Sequence, residues 1–429
     1  MGIAMVAIFV LLMMVGAPIA FAIMIPGMFG IYFSPGGENM LLVIPQQIFL
    51  GVNSFQLLTI PLFVLAGTLM ADGGIARRLM DLAECTVARG SGGLGAATVV
   101  STMFFHGISG SSTADTAAIA RVTLPTLRDQ GYPLPFATAV LASAGATATL
   151  IPPTIDLIII GVVANMSIAG LFAGGLIPAV INGTGLIATV VYLSRRRGYG
   201  KSQRSASLKQ MFVAFVKAVP ALFMIVIILG GILGGVFTPT EASVVAVVYG
   251  FVISFFVYRD LKLHMLPAIF RSTIILSGGV LFVIASSSVL TYAMTVNQVP
   301  QDLAAALEKY ASSPWLFLLL VQILFFFIGM IMDGLPALII TMPILTPIAV
   351  AHGIQPIHFG ILVEANLALA MAHPPAGTCL YAACAVSKIP FEKVIVPLIP
   401  FLAVLIVTLL IITYVERFSM FLPELLNLT

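Results

Sequence analysis

Two stretches of this sequence hold oxygen-bearing residues at points where an ordinary helix cannot continue. The first pairs Ser109-Gly-Ser-Ser112 with Ala148-Thr-Leu-Ile-Pro-Pro-Thr154. Pro152 and Pro153 have no N–H to donate, so carbonyls upstream of them lose their helical partners. Free carbonyls and serine hydroxyls, uncharged and oxygen-only, form a suitable cage for a hard monovalent cation such as Na⁺. Helices that start after the serine tip and after Pro153 direct partial positive charge to the same place, where an anionic group could rest. The plainer alternative is close helix packing at Ser-Gly-Ser-Ser and a simple kink at Pro-Pro. A binding site is the stronger expectation because both features recur together later in the chain.

The second stretch pairs Gly329–Gly334 with Ala370-Met-Ala-His-Pro-Pro-Ala-Gly-Thr378. It is less polar, so a cation there would depend mainly on backbone carbonyls. His373 occupies the position equivalent to Ile151; it either serves substrate as hydrogen-bond partner or proton carrier, or merely bonds a neighbouring carbonyl. Acidic residues inside membrane segments are costly and usually face a cavity or a partner. Asp115 and Asp333 at the two turns and Asp156 just past the first Pro-Pro qualify, and Glu364 is a weaker case. With Ser111, Thr154, His373 and Thr378 beside the breaks, Asp115, Asp156 and Asp333 make up the candidate substrate set. His106, next to the first turn, fits either a functional or a packing role. Glu241 reads as structural, in the first turn of a helix capped by Thr240.

The elements that must position these residues follow from composition. Of 429 residues, 60% are apolar and 8% charged, against roughly half and a quarter in a soluble domain. Too few polar groups remain to cover a water-facing surface, so the solvent is lipid. The net charge of +3 is small and gives no nucleic-acid surface. Cys85, Cys379 and Cys384 lack metal-ligand spacing and read as core residues. The N-terminus, apolar from Gly2 and without a basic region or cleavage site, reads as a retained first span.

Apolar runs at 3–33, 43–71, 133–163, 170–193, 211–234, 241–258, 267–296, 357–387 and 392–415 are candidate spans. Regions 91–128 and 314–350 differ, each being cut midway by a polar or glycine-rich knot. Their legs of about 15–17 residues fall short of the ~20 needed to cross, which predicts re-entrant helical hairpins ending near mid-membrane. Anchoring Arg195-Arg-Arg197 in the cytoplasm and alternating spans leaves only Lys309 and Arg417, of 19 basic residues, outside. The N-terminus is then cytoplasmic if 3–33 crosses once, a point that Gly16-Ala-Pro18 leaves open. Segment 74–89 has apolar residues at helical spacing and charges opposite, as an interfacial brace would.

At an offset of 222, Phe105, Gly107, Pro125, Gly131, Pro152 and Pro153 coincide with Phe327, Gly329, Pro347, Gly353, Pro374 and Pro375. The expected organisation is a first repeat at 1–193 containing hairpin 91–128, a basic cytoplasmic loop plus linking span at 194–234, and a second repeat at 235–429 containing hairpin 314–350. One span between two four-span halves inverts the second against the first. Inverted repeats with broken helices meeting at the midplane are a secondary-transporter pattern.

On these residues the chain resembles the large membrane (permease) subunit of tripartite ATP-independent periplasmic (TRAP) transporters. The motifs are Ile60-Pro-Leu-Phe-Val-Leu-Ala-Gly67, Ile108-Ser-Gly-Ser-Ser-Thr-Ala-Asp-Thr-Ala-Ala-Ile119, Ile151-Pro-Pro-Thr154, Phe237-Thr-Pro-Thr-Glu-Ala242, Gly353-Ile-Gln-Pro-Ile-His-Phe-Gly360 and Pro374-Pro375. The resemblance implies an all-α polytopic membrane protein of elevator type, like the ion transporter superfamily, in the bacterial inner membrane. It implies sodium-coupled uptake of a small organic acid with two partners, a small four-helix membrane subunit and a periplasmic substrate-binding protein. On matched positions it implies two sodium sites, the first of Ser109, Ser112, Ala148, Ile151 and Pro153, the second of Gly329, Ala370, His373 and Pro375. The chain departs from the family's Gly-Pro at Ala148-Thr149 and from its Thr-Pro-Pro at His373-Pro-Pro; the second departure removes a hydroxyl from the second site.

Three other readings compete. A stand-alone ion-coupled dicarboxylate symporter has the same inverted hairpins without a binding protein. A channel would keep the hairpin tips lining an open pore. A membrane enzyme would need a convergent nucleophile, base or metal set, whereas the five histidines (106, 264, 352, 358 and 373) are scattered without ligand spacing.

Overall fold

A computed structural model gives the fold and describes residues 1–34, 37–87, 90–200, 207–310, 313–332, 334–375 and 377–428. Asp333, a candidate substrate residue, lies outside the described residues, as do Arg89, Lys201 and Arg204 of the basic loops. The described residues form helices joined by short turns, with no strand among them. Eight helical stretches are long and apolar enough to cross a bilayer, and the chain is a multi-pass all-α membrane protein.

The first half runs α1 (Gly2–Met14), α2 (Ile19–Tyr32), α3 (Gly37–Met40), α4 (Val43–Val52), α5 (Thr59–Asp72) and α6 (Ile75–Val87). It continues with α7 (Gly93–Ser109), α8 (Ser112–Asp129), α9 (Leu134–Thr147), α10 (Ile155–Val163) and α11 (Ile168–Arg197), and α12 (Leu208–Leu233) follows. The second half holds α13 (Pro239–Val252), α14 (Leu266–Val296), α15 (Val299–Tyr310), α16 (Pro314–Ile331) and α17 (Gly334–Ala351). It ends with α18 (Pro356–Ala372), α19 (Thr378–Ser387), α20 (Glu392–Tyr414) and α21 (Arg417–Leu425). Helices α8 and α17 lie 222 positions apart at both ends, the register of the Gly and Pro coincidences. Hairpins α7–α8 and α16–α17 form where the polar knots predict them.

Segment 3–33 is not a single crossing. Gly16 takes φ +80° and Pro18 disfavours helical conformation at Ala17 before it, so α1 and α2 fold back on each other with Met5 against Gly30. A side-chain carbon on Gly2 would stand 3.7 Å from Val299 Cβ, and the Asn297 amide donates to the Gly30 carbonyl at 3.1 Å. Residue 2 therefore sits at the end of α14 opposite the basic loops, which reverses the placement that one crossing would give. Segment 43–71 is also interrupted, at Asn53–Ser54, between α4 and a 3₁₀ turn that leads into α5.

Helix α6 buries Ile75, Ala76, Leu79, Met80 and Ala83 along one stripe, as expected of the brace. Its counterpart α15, read from sequence as part of an outer loop, was missed. Arg78 of α6 bonds Asp260 at 2.7 Å and lies 3.8 Å over the Tyr258 ring, tying the brace to the turn after α13. The cap of α13 is Thr238 rather than Thr240. Pro239 suits the first helical position, where an N–H is not needed, and Thr-x-x-Glu closes a capping box in which Thr238 N–H donates to Glu241 at 2.8 Å. Thr240 instead hydrogen-bonds Thr59 of α5 at 2.9 Å.

At the centre, α9 and α10 pack beside α18, with α7, α8, α11, α19 and α20 around them. Contacts fix their relative direction. Ile160 Cγ2 would stand 3.1 Å from a methyl on Gly360, whereas Ala146 clusters with Met371 and Ala372. Numbers rise along one helix as they fall along the other, so the two broken helices run antiparallel. An 18-residue stretch of Leu134–Val163 is 83% buried, against 28% for one of Leu208–Leu233; the first is a core element and the second faces outward.

Candidate functional site

The first hairpin turns at Gly110, whose φ of +69° is a left-handed conformation that glycine adopts without steric cost. Ser111 is extended and half-buried, and α8 begins at Ser112. A methyl on Gly110 would lie 3.2 Å from the Pro153 carbonyl oxygen, and one on Gly107 3.3 Å from both Ile151 and Pro152. Gly67 of α5 admits the tip from the other side, since a methyl there would come 2.5 Å from the Ser109 carbonyl. Ser109, Ser111, Ser112, Ile151, Pro153 and Thr154 are thus gathered at one place.

At the break itself, α9 tightens into a 3₁₀ turn at Ala148–Leu150 and the chain goes extended at Ile151. The Ala148 carbonyl accepts from Ile151 N–H at 2.8 Å, which leaves one lone pair for a further ligand. Thr147 and Thr149 turn their hydroxyls back to the Ser143 and Ala146 carbonyls at 2.8 and 3.1 Å. Ser112 Oγ and Thr154 Oγ1, by contrast, are buried without a hydrogen-bond partner among the described residues. Buried hydroxyls left unpaired are costly, and two of them beside backbone oxygens make a donor set that fits a small hard monocation.

Asp115 stands differently from its expected role facing substrate. It is 1% exposed, accepts from Ser109 Oγ within its own hairpin, and pairs with His106 Nδ1 at 2.7 Å. The carboxylate joins the two legs of the hairpin, and His106 gains a definite partner. Asp156 lies in the first turn of α10, where its charge bears on Glu364 of α18.

Around the second break, α16 approaches α18 so closely at Gly329 that a methyl there would collide with the Ala370 side chain. Gly334 opens α17 against Leu367 and Met371. Helix α18 ends at Ala372; His373 is extended, and Gly377 N–H donates to its carbonyl at 3.0 Å. The Pro375 carbonyl accepts the Tyr381 hydroxyl at 2.7 Å. The His373 ring packs edge-on against Phe326 with centroids 4.7 Å apart, and its Nδ1 has no partner among the described residues. Thr378 is the first residue of α19. X-Pro bonds 152–153 and 374–375 are both cis.

Sequence reading ranks Glu364 low, on the signal of a carboxylate in the middle of an apolar run, and the structure buries it completely. A polar network also crosses the second half, where Asn366 donates to the Gln322 carbonyl at 2.8 Å and Gln322 to Thr413 Oγ1 at 2.6 Å. His358 completes it with bonds to Ser419 Oγ at 2.6 Å and the Thr413 carbonyl at 3.2 Å. Of the cysteines, Cys379 and Cys384 are buried and Cys85 only half-buried. A cavity of about 510 Å³ lies where α4 and α14 approach the end of α10, lined by uncharged polar groups that include Gln47, Ser54, Gln56, Asn165 and Ser288.

Known proteins share this sequence and fold. The C4-dicarboxylate TRAP transporter large permease protein DctM of Rhodobacter capsulatus is 36% identical over 396 residues, 89% of this chain and 90% of that protein. The isethionate TRAP transporter permease protein DctMQ of Oleidesulfovibrio alaskensis is 35% identical over 413 residues, covering 96% of this chain and 65% of that protein. Among solved structures, the Alcanivorax borkumensis YdaH transporter superposes with a TM-score of 0.65 over 90% of each chain at 13% identity, a likeness of fold alone. Residues 6–418 match the family described as tripartite ATP-independent periplasmic transporter, DctM component, and the chain belongs to that family of TRAP transporter large permease subunits.

Proposed function

We propose that this chain is the transporting subunit of a sodium-driven importer of a small organic acid in the bacterial inner membrane. The observation that supports it most directly is Ser112 Oγ, buried and unpaired at the hairpin tip beside the Ala148–Pro153 break. Sodium bound to that hydroxyl and the neighbouring carbonyls would hold the tip against the break. Helix N-termini at Ser112 and Ile155 then offer N–H groups to a carboxylate or sulfonate. The second site, with Gly329, Ala370, His373 and Pro375, would bind its ion through carbonyls, because His373 contributes an imidazole where a hydroxyl would be the harder ligand. Relatives named for C4-dicarboxylate and isethionate support an acid of that size.

The two hairpins and the broken helices move together, in this proposal, as an elevator against a frame of α2, α5, α13 and α14. Partners are a small membrane subunit and a periplasmic binding protein that delivers substrate. The relative named DctMQ is consistent with a second membrane component.

The test is uptake of labelled succinate and isethionate into proteoliposomes containing this chain and its partner proteins. Uptake should rise with an inward sodium gradient and not with a potassium one; equal uptake under both rejects sodium coupling. Ser112→Ala should raise the sodium concentration needed for half-maximal uptake about tenfold, the loss of roughly 1.4 kcal/mol of ligation. An unchanged sodium response removes that hydroxyl from the site.

A further inference from the structure

The chain leaves the face of the basic loops along α12 and returns to it along α13. Between Leu208 and Arg271 that face receives Lys209, Lys217, Arg259, Lys262 and Arg271 against one acid, Asp260, because Glu241 lies at the opposite end of α13. Tyr258 gathers the middle of this set. Helix α13 loosens into a π turn at Ile253–Val257, and the Tyr258 hydroxyl, just past it, donates to the Lys217 carbonyl of α12 at 2.9 Å. Arg78 of α6 lies 3.8 Å over the same ring. One side chain thus pins three elements together, and Lys217, Arg259 and Lys262 stand around the point where they meet.

The acids in this region are engaged or lie further off. Arg78 holds Asp260 at 2.7 Å. Asp72, at the end of α5, faces the charge of Arg121, and Asp81 and Glu84 lie about one and two turns from Arg78 along α6. Lys217, Arg259 and Lys262 are exposed, and none of them enters an ion pair among the described residues. Arg259 also takes φ +60°, a left-handed conformation that strains a residue with a side chain. The fold keeps a large cation where glycine would sit without cost. Its Nε donates to the Phe256 carbonyl at 3.4 Å, which leaves the other guanidinium N–H groups to an outside acceptor. The residues next to these cations are apolar. Phe256, Val257 and Leu263 flank Arg259 and Lys262, Val213 and Val216 precede Lys217, and all five are exposed. A soluble anion would use the cations and leave those residues bare, whereas an anionic amphiphile uses both.

We propose that Lys217, Arg259 and Lys262 form a binding site for the phosphodiester of an anionic phospholipid, whose acyl chains lie along the exposed apolar residues of α12 and of the turn after α13. The guanidinium fork of Arg259 suits two phosphate oxygens at once, and the two lysines add point charges. Basic pockets between membrane helices on the side of the basic loops face the leaflet that is rich in such lipids. Arg78 stays with Asp260 and holds the geometry through Tyr258. Bound there, the lipid bridges α12 to the turn after α13 and so fastens the linking span to the frame. The site is separate from the sodium reading above, and its test needs neither substrate nor partner.

Native mass spectrometry of the purified full-length chain, titrated in micelles with phosphatidylglycerol or with phosphatidylethanolamine of the same acyl chains, reads the lipid retained. The wild type should hold phosphatidylglycerol at lower concentration than phosphatidylethanolamine. Each cation removed should weaken that retention about fivefold, and the triple variant Lys217→Ala, Arg259→Gly, Lys262→Ala about a hundredfold. A second triple variant, Arg128→Ala, Arg196→Ala, Lys393→Ala, removes as many exposed cations elsewhere on the same face and should retain the lipid as the wild type does. Wild-type retention in the first triple variant overturns the proposal. An equal loss in the second overturns it as well, because the basic face at large then holds the lipid. Inorganic phosphate should displace the lipid no better than chloride at the same ionic strength; selective displacement by phosphate overturns the lipid in favour of a free anion. Should the first triple variant fail to purify as a single species, Arg259→Gly alone decides, since glycine adopts that backbone without strain. Retention about fivefold weaker supports the site, and unchanged retention overturns it.

Discussion

Gly329 is the sharpest place to ask whether the second hairpin must press directly on its broken helix. Gly329→Ala adds one methyl. On the present backbone that carbon falls far inside 3.0 Å of the Ala370 methyl, yet stands 3.4 Å from Ala370 Cα. Non-bonded carbons sit at about 3.5–4.0 Å, so nearly the whole collision is methyl against methyl. Overpacking a helix seam costs about 1–3 kcal/mol. Ala370→Gly alone leaves a methyl-sized void and a glycine inside α18, together about 1–2 kcal/mol. The double variant moves the methyl from one helix to the other and fills the void without a clash. Its loss should be smaller than the sum of the single losses by about 1–2 kcal/mol, a coupling within the range for residues in contact. Reversible unfolding of the purified protein in mixed micelles measures all four corners of the cycle. Additive losses, within about 0.5 kcal/mol, would show that α16 and α18 do not meet at these residues, and the close hairpin contact would be wrong.

Three further outcomes are expected. Gly2→Cys with Val299→Cys should form a disulfide under mild oxidation, since the paired Cβ atoms lie 3.7 Å apart and bridges favour about 3.5–4.5 Å; free thiols after oxidation would restore a single crossing for 3–33. Arg78→Ala should lower stability by no more than about 1 kcal/mol, and by less in high salt, because Asp260 is 47% exposed and such pairs are weak. Partial burial first and the Glu424 charge second hold Glu416 above the ordinary carboxylate range. The fold therefore prefers its protonated form: the contribution is fully present below the ordinary range and fades as pH rises through the raised one. Glu416→Gln should flatten that slope in a melting-temperature series from pH 4 to 8, and an unchanged slope would assign it to other groups.

What could be read from the residues followed period and punctuation. The serine knot, the paired prolines and the Gly and Pro recurrence at offset 222 identified both hairpins and both breaks, because in lipid an interrupted backbone needs burial wherever it occurs. Residues 3–33 misled because apolar length alone cannot separate one crossing from two short antiparallel legs; the decisive fact is the left-handed Gly16. Helix α15 was missed because Gln301, Asp302 and Glu308 look like a loop when read singly, though the same offset applied to α6 would have found it. Asp115 shows the other limit. A carboxylate at a hairpin tip announces a partner, but only the fold reveals that His106 and Ser109 supply it.

The shared register of α8 and α17 has a practical consequence for experiments in lipid. A label placed on one helix has a natural twin 222 positions away on an element of equal length that points the other way. Paired labels of this kind would separate effects of the surrounding leaflet, which differ between twins, from effects of the helix itself, which do not. The molecule thereby supplies its own control for membrane asymmetry.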